Sequence, residues 1–260
     1  MSYKYPFTNR AAREFPQDPP FYFCNIGLWQ NKRTRYKDAS KMLVHSLAQI
    51  SDLKAGQHVL DIGFGLGGSF FVWRKSYKAG RITGINISQE QCDFASELTN
   101  AENLKNVTLY RGSWQVMDQL RPGSVDRIYA VDCAYHFKNM KSFFKKAATV
   151  LGKDGQLAFH WMHFKKRHWL LVLFALLAGV PLKHFKVDAD LSLMFKETGL
   201  TFSQKRDYTE EAAGSFYRLE EELSGAPFIP RLAVKVTGWI LKRFAESGHL
   251  AYYAVSAKKA

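Results

Sequence analysis

Residues suited to binding and chemistry follow several apolar, strand-like segments in the first 160 residues of the chain. The first group lies in HVLDIGFGLGGSFF and consists of Asp61, Gly63, Gly65, Gly67 and Gly68. A glycine-rich turn between a strand and a helix lets the backbone approach a nucleotide at the helix N-terminus. The segment therefore predicts a cofactor that contains a nucleotide, and a purely structural tight turn is the alternative.

The spacing of these glycines fits two kinds of cofactor. The pattern G-x-G-x-x-G, from Gly63 to Gly68, is the fingerprint of dinucleotide sites. The pattern D-x-G-x-G-x-G, from Asp61 to Gly67, is the first motif of S-adenosylmethionine-dependent methyltransferases. A dinucleotide site also needs an acidic residue about 20 positions further on, where this chain has Asn86. Since an amide can also bind ribose hydroxyls as donor and acceptor, the turn alone leaves both cofactors open.

The next two strand ends carry further polar and aromatic residues. Gln91 follows Asn86 in GINISQEQ, but Ser88 and Gln91 also fit S-x-x-Q, a capping box that would serve the helix alone. Ser113 and Trp114 follow the third strand, in RGSWQ. The indole plane of Trp114 suits stacking on a nucleobase, and an ordinary edge tryptophan is the alternative.

The fourth strand end, in VDCAYHF, carries Asp132, Tyr135 and His136. A histidine titrates near neutral pH and can remove a proton from an acceptor that is being methylated. A binding role or a structural role for His136 stays open. The same segment superficially matches the D-P-P-Y loop of enzymes that methylate flipped nucleobases, but both prolines are missing, so a nucleic-acid substrate is not expected.

Metal binding is not expected from the histidines and cysteines. His160 and His163 in HWMH are followed by no third ligand at a recognisable spacing. Cys24, Cys92 and Cys133 are isolated and odd in number, which favours a reducing compartment.

The elements that must position these residues alternate along the chain. The hydrophobic pattern predicts strands at 58–63, 81–88, 106–112, 125–133, 155–162, 200–209 and 249–259. It predicts helices at 39–50, 67–78, 89–100, 141–151, 189–199 and within 229–247, with Gly152 ending the fourth of these. Strands that alternate with helices indicate an α/β fold with a mostly parallel sheet covered by helices on both faces, in a Rossmann-like arrangement.

These segments together carry a family resemblance. VLDIGFGLGG followed by ITGINISQEQ resembles the small-molecule group of class I S-adenosylmethionine-dependent methyltransferases, which includes sterol C-methyltransferases, cyclopropane fatty acid synthases and natural-product tailoring enzymes. The resemblance implies S-adenosyl-L-methionine as the cofactor and a seven-stranded sheet whose last strand is antiparallel. It implies cofactor contacts from Asp61 and the glycines of the turn, Gly63, Gly65 and Gly67.

The resemblance also assigns roles to the remaining strand ends. Asn86 and Gln91 match the positions that bind the ribose, and RGSWQ falls where the family contacts the adenine. Ser113 departs from the Asp or Asn of many members. Asp132 and His136 match the family's E-x-x-x-H pattern. Tyr135 occupies the position where cyclopropane synthases carry a glutamate, which argues against cyclopropanation.

An upstream segment extends the resemblance. NIGLW is similar to the N-x-G-x-W segment that these enzymes place before the core, where aromatic side chains close over the methionine end of the cofactor. Asn25, Gly27 and Trp29 match, and Tyr22 is a further candidate. Trp29 as the anchor of an N-terminal cap is the alternative.

A long apolar run interrupts the alternation after the fifth strand. It extends from Trp169 to Leu182, which is short of the roughly 20 residues of a membrane-spanning helix. In the resembled families this region forms a lid over the acceptor, and an ordinary cover or a dimer contact are the alternatives. Basic residues flank the run: Lys165, Lys166, Arg167, Lys183 and Lys186. This pattern suits a lipophilic, anionic acceptor or a peripheral membrane contact through 165–186.

Composition sets the outer limits of the prediction. A chain of 260 residues suits one α/β domain, and the formal net charge of +14 attracts anionic partners. The N-terminal stretch has no apolar signal region, so we expect the cytoplasm. We predict a cap at 1–55, a cofactor-binding core at 56–160, an apolar lid at 161–199 and completing strands and a helix at 200–260.

The sequence thus predicts a methyltransferase that acts on a small, lipophilic acceptor. An NAD-dependent oxidoreductase and a methyltransferase fold that binds without transferring methyl are the alternatives. The oligomeric state is left open.

Overall fold

The computed structural model describes residues 15–186 and 191–260, and its core is a seven-stranded sheet. The strands are β1 His58–Ile62, β2 Arg81–Asn86, β3 Val107–Arg111, β4 Val125–Ala130, β5 Leu151–Phe164, β6 Leu200–Asp207 and β7 Leu250–Lys259. Their spatial order is β3-β2-β1-β4-β5-β7-β6. The first five strands pair in parallel, and β7 is antiparallel to both β5 and β6. The predicted Rossmann-like sheet with an antiparallel last strand is confirmed.

Helices connect the strands and cover the sheet. The α-helices are α1 Tyr36–Ile50, α2 Gly68–Phe71, α3 Gln89–Ala101, α4 Met140–Val150, α5 Trp169–Leu177, α6 Leu191–Lys196, α7 Leu219–Glu222 and α8 Phe228–Glu246. Short 3₁₀ turns occupy Trp114–Gln119, Ala134–His136, Leu182–Lys186 and Phe216–Arg218. No helix among the described residues is both long and apolar enough to cross a bilayer.

The central strands of the sheet are buried on both faces, and they are accordingly nearly continuous apolar runs. Successive side chains of a strand point to opposite faces, and in β1 Val59 and Leu60 pack into two different hydrophobic clusters. Phe144 and Phe159 belong to the cluster of Leu60. Trp73 belongs to the cluster of Val59. Burial on both sides holds the carboxyl ends of the parallel strands at one edge of the sheet.

Several predicted element boundaries are wrong by a few residues, and two of them have a clear structural cause. The helix predicted at 67–78 is a short α-helix that continues as a π-helical turn at Val72–Ser76, where the Trp73 ring stacks on Tyr129 at 4.4 Å. The fifth strand begins at Leu151 rather than at residue 155, because Leu151 pairs with Val125 of β4. Gly152 therefore lies inside the strand and does not end the preceding helix.

The helical part of the apolar run is also shorter than the run itself. α5 ends at Leu177, and Gly179 follows with a positive φ of 72°, a conformation that suits glycine. The predicted division into a cap, a core, a lid and a completing segment stays a prediction. Residues 1–14 of the predicted cap and residues 187–190 of the predicted lid lie outside the described residues.

Candidate active site

Two adjoining cavities lie at the carboxyl ends of the strands, where ligands bind in open α/β sheets. The β5-side cavity, of about 210 Å³, extends from the glycine turn towards β5, α5 and α8. The β3-side cavity, of about 500 Å³, extends from the same turn towards the end of β3. The residues that line both cavities are Gly63, Asn86, Cys133 and His136. The two cavities therefore meet where the ends of β1, β2 and β4 come together.

The glycine turn leaves open space at one position in particular. Gly65 has a φ of +59°, and a Cβ built on it would have its nearest neighbour, Cys24, at 3.9 Å. Gly63 also lines the cavities, but a Cβ there would lie 2.7 Å from the sulfur of Cys133. Gly65 is thus the glycine whose missing side chain keeps the β5-side cavity open.

Gly67 and Gly68 serve the packing of the turn. Gly67 has a φ of +87°, and its absent Cβ would press on Ala95 of α3 at 3.0 Å. Gly68 lies against the backbone of Tyr22, whose carbonyl accepts a hydrogen bond from the Gly68 N–H at 3.0 Å. Gly67 lies outside both cavities, and the cofactor contact predicted from it stays a prediction.

Asp61 lies beneath the turn. Its Oδ2 accepts hydrogen bonds from the Ser69 hydroxyl at 2.6 Å and the Trp73 indole at 2.8 Å. Burial raises the pKa of Asp61 to about 6, and these two hydrogen bonds partly offset that rise. Asp61 holds the loop from a position outside both cavities, and its predicted contact with the cofactor stays a prediction.

Asn86 and Gln91 form a joined pair of amides beside the turn. The Asn86 Nδ2 donates to Gln91 Oε1 at 2.7 Å and to the Gly65 carbonyl at 3.3 Å. The Ser88 hydroxyl accepts from the Gln91 N–H at 3.3 Å, so the helix cap that the sequence offered as an alternative is also present. Both amide side chains line the β5-side cavity. The helix cap is compatible with the predicted ribose contact, because the cap uses the backbone N–H of Gln91 and the contact would use its side chain.

Ser113 and Trp114 line the β3-side cavity, at the end of β3. The Ser113 hydroxyl donates to Gln115 Oε1 at 2.6 Å and accepts from the Gln115 N–H. The Trp114 ring packs edge-on against Phe143 at 6.0 Å. Both residues stand where the resemblance places the adenine, and that role stays a prediction.

Asp132 is the centre of a hydrogen-bond network at the end of β4. Its Oδ1 accepts from the hydroxyls of Tyr135 at 2.7 Å and Tyr252 at 2.6 Å. Its Oδ2 accepts from the N–H of Ile26 at 2.8 Å. Burial raises the pKa of Asp132 to about 6, and the three hydrogen bonds partly offset the rise. A φ of +52° is unusual for a residue with a side chain and is held here by these contacts.

His136 follows Asp132 and lines both cavities. Its ring lies 4.5 Å from the ring of Tyr135. Burial lowers the pKa of His136 to about 4, and a hydrogen bond to the Gly179 backbone partly offsets that effect. The imidazole is therefore neutral near pH 7, and it links the end of β4 to the segment that follows α5.

The two aromatic residues predicted to close over the cofactor lie elsewhere. Trp29 is buried, donates to the Ile26 carbonyl at 2.8 Å and packs against Tyr36. The Tyr22 ring packs edge-on against Phe94 at 5.2 Å. Both side chains lie outside the cavities and anchor the N-terminal segment, and the cover that they are predicted to give the cofactor stays a prediction.

Several residues of the site escaped the sequence prediction. Tyr252 lies on β7, 120 positions after the carboxylate that it binds, and no local pattern marks it. Other unpredicted residues line the β5-side cavity: Cys24, Cys133, Met162, Phe174, Val180, Phe216, Thr237 and Leu241. Some signal existed for Phe174 and Val180, because they lie in the apolar run. In the part of the chain that is described, no group of three or more His, Cys, Asp or Glu residues could hold a metal ion.

The order of the strands and the cavities at their carboxyl ends are those of the class I methyltransferase fold. The structure of a geranyl diphosphate C-methyltransferase from Streptomyces coelicolor, solved with Mg2+, geranyl-S-thiolodiphosphate and S-adenosyl-L-homocysteine, superposes with a TM-score of 0.77. The superposition covers 99% of this chain and 94% of that chain at 12% sequence identity, a likeness of fold. Residues 2–175 match the family model described as mycolic acid cyclopropane synthetase. The chain belongs to that family.

Curated relatives match about half of the chain. Erythromycin 3''-O-methyltransferase of Saccharopolyspora erythraea is 29% identical over 136 residues, which are 52% of this chain and 44% of the relative. (S)-tetrahydroprotoberberine N-methyltransferase of Eschscholzia californica is 31% identical over 121 residues, which are 46% of this chain and 34% of the relative. The chain thus spans less than half the length of these relatives.

Proposed function

We propose that this protein transfers the methyl group of S-adenosyl-L-methionine to a small, lipophilic acceptor. The observation that carries the proposal is the junction of the two cavities at Gly63, Asn86, Cys133 and His136. A cofactor and an acceptor could meet there, because the β3-side cavity continues to Ser113 and Trp114 at the end of β3 and the β5-side cavity continues to side chains of α5 and α8.

The residues at this junction fit the cofactor. Because Gly65 has no side chain, it leaves open space that a Cβ would fill, and this space suits the methionine portion of the cofactor. The Asn86 and Gln91 amides supply the donors and acceptors that ribose hydroxyls need, and Ser113 and Trp114 provide a polar group and an aromatic plane for the adenine. When bound, the cofactor supplies an electrophilic methyl group on a positively charged sulfur.

The far wall of the β5-side cavity supports a lipophilic acceptor. Phe174, Val180, Phe216 and Leu241 line it, and such a wall favours apolar ligands and excludes water from the reacting groups. The names of the compared proteins place methyl transfer on oxygen, nitrogen and carbon, so family membership leaves the acceptor atom open. Cyclopropanation is not proposed, because Tyr135 stands where the resemblance implies a glutamate.

His136 orients the acceptor in this proposal. A pKa of about 4 makes the ring a weak base near pH 7, because efficient proton removal needs a pKa near the working pH. A neutral imidazole can still accept a hydrogen bond from a hydroxyl or amine and hold its lone pair towards the methyl group. Tyr135 supports this position through its contact with the His136 ring.

Two measurements test the proposal in turn. Thermal unfolding is followed with S-adenosylhomocysteine and, separately, with NADH, since a ligand at 100 times its Kd stabilises a protein by about 2.7 kcal/mol. A shift with NADH alone would favour the oxidoreductase. Lipid and small-molecule extracts are then incubated with the protein and methyl-labelled cofactor, and labelled products are identified by mass spectrometry. Normal cofactor affinity without any labelled product would favour a fold that binds without transferring methyl.

A further inference from the structure

Two neighbouring helices on the β5 side expose apolar side chains to solvent. α5 exposes Trp169 and Leu177 by 72% and 70%, and α8 exposes Phe228 and Ile229 by 75% and 78%. Further exposed apolar residues lie on the same helices: Leu173, Leu176, Leu232, Val236 and Trp239. The helices contact each other, and the ring of His168, which caps α5, lies 5.0 Å from Phe244 of α8.

α8 is apolar on two opposite sides. Its inner side buries Val234, Leu241 and Phe244 against the protein. Its outer side repeats apolar residues at helical spacing from Phe228 to Trp239. A helix on the surface of a water-soluble protein normally turns a polar face outwards, so an apolar outer face indicates contact with something other than water.

The charge around this surface is mainly positive. Residues 165–186 contain five Lys or Arg and no Asp or Glu. α8 contains four Lys or Arg and one acidic residue, Glu246, which pairs with Lys242. The exposed basic residues are Lys165, Lys166, Arg167, Lys183, Lys235 and Arg243. Apolar side chains ringed by bases match a bilayer with anionic headgroups. Exposed Trp169 and Trp239 suit the same partner, because tryptophan favours the membrane interface.

We propose that the outer faces of α5 and α8 together dock this protein onto an anionic lipid bilayer. The surface extends the sequence prediction for 165–186 to α8, which sequence analysis did not single out. A second copy of this chain is a weaker fit, since a twofold contact would bring two basic surfaces together. The docking needs neither cofactor nor acceptor.

The position of the surface suggests what docking achieves, and this step rests on the proposed function. Phe174 of α5 and Thr237 and Leu241 of α8 line the β5-side cavity, while the outer sides of the same helices form the docking surface. A lipophilic acceptor dissolved in the bilayer would therefore reach the cavity by passing between two helices, without crossing water. The inferred acceptor class is an amphiphile that partitions into membranes.

Vesicle flotation tests the docking. The full chain is mixed with phosphatidylcholine vesicles with or without phosphatidylglycerol, and we expect flotation with the anionic vesicles that weakens as salt is added. Trp169→Ser/Leu177→Ser and Phe228→Ser/Ile229→Ser should each lower partitioning at least about tenfold, because each pair removes two inserting side chains. Leu193→Ser/Phe202→Ser is the matched control, since it removes two exposed apolar side chains outside α5 and α8 and should float like the wild type.

The outcomes separate docking from catalysis. Failure of the wild-type chain to float, equal flotation with uncharged vesicles, or equal loss in the control variant would each overturn the proposal. Self-association that is lost in the α5 and α8 variants, without flotation, would assign the surface to a second copy instead. Affinity for S-adenosylhomocysteine is measured on every variant and should stay at the wild-type value. Flotation without cofactor binding would refute the proposed function and leave the docking intact.

Discussion

The two sides of the site are built in different ways. On the β3 side, most cavity-lining groups lie within a few residues of a strand end, as Asn86 does at the end of β2 and Ser113 after β3. On the β5 side, Phe174, Phe216 and Leu241 come from three separate segments that meet only in the folded protein. A common cofactor can be held by backbone geometry and a few fixed positions. An acceptor that differs between relatives is surrounded by side chains that long-range packing brings together.

Replacement of His136 tests the β5 side and should have the largest effect. We expect His136→Ala to lower kcat by about 10²-fold, because a misplaced acceptor loses its alignment, and to leave S-adenosylhomocysteine affinity unchanged. His136→Gln should keep much of the activity, since an amide still accepts a hydrogen bond. An equal loss of kcat in both variants would instead indicate that the His136 ring acts as the base, because an amide cannot take up the proton. Because burial lowers the pKa of His136 to about 4, the wild-type kcat should show no inflection from this group between about pH 6 and 8.

A control variant tests whether the loss of kcat is specific to His136. His45 is half-buried on α1, where its ring lies 2.9 Å from the Tyr77 hydroxyl. His45→Ala removes an imidazole at a distance from both cavities and should leave kcat at the wild-type value.

Replacement of Gly65 tests the cofactor side. Gly65→Val should weaken S-adenosylhomocysteine binding at least about hundredfold in a calorimetric titration. A branched side chain there would fill the open space, and it is disfavoured at a φ of +59°. Gly123→Val is the matched control, because Gly123 has a φ of +71° with nothing within 4 Å of a built Cβ and lies in the turn before β4. Wild-type affinity in Gly65→Val would mean that the loop is only a turn.

Asp132 links the end of β4 to β7 beside the β5-side cavity, and its replacement should have a smaller effect. Asp132→Asn should lower the free energy of unfolding by about 1–3 kcal/mol, because an amide nitrogen would face a donor in place of a carboxylate oxygen. Urea unfolding measures this change, and Glu102→Gln at an exposed helix end controls for the loss of a carboxylate.

The pH dependence of that difference has a defined sign. The pKa of Asp132 is raised from 3.8 to about 6 by burial, so the folded state binds more protons than the unfolded state between these values. The wild type therefore gains stability from this group as pH falls from about 7 to about 4, and the variant does not. The stability difference between the wild type and Asp132→Asn should therefore increase as pH falls from about 7 to about 4. A difference that decreases over this range would contradict the raised pKa.

The sequence predicts the parts of this site that short-range rules control. The strands, the glycine turn and Asn86 follow from hydrophobic periodicity and spacing, and each lies at a strand end as expected. The hydrogen bond from the Trp29 indole to the Ile26 carbonyl could not be predicted, because it depends on how the N-terminal segment folds back on itself. Tyr252 was missed because its partner is 120 positions away. The exposed apolar side of α8 was missed because periodicity marks an apolar stripe without telling whether protein covers it.

The position of β7 between β5 and β6 has a consequence for the order of folding. β6 precedes β7 in the chain, yet its described sheet neighbour is β7, so β6 joins the rest of the sheet only through the pairing of β7 with β5. Contacts that span so much sequence form slowly. Tyr252 reaches Asp132 only in that step, whereas the glycine turn needs strands that lie early in the chain. The glycine turn can thus form during synthesis, before Asp132 receives its hydrogen bond from Tyr252.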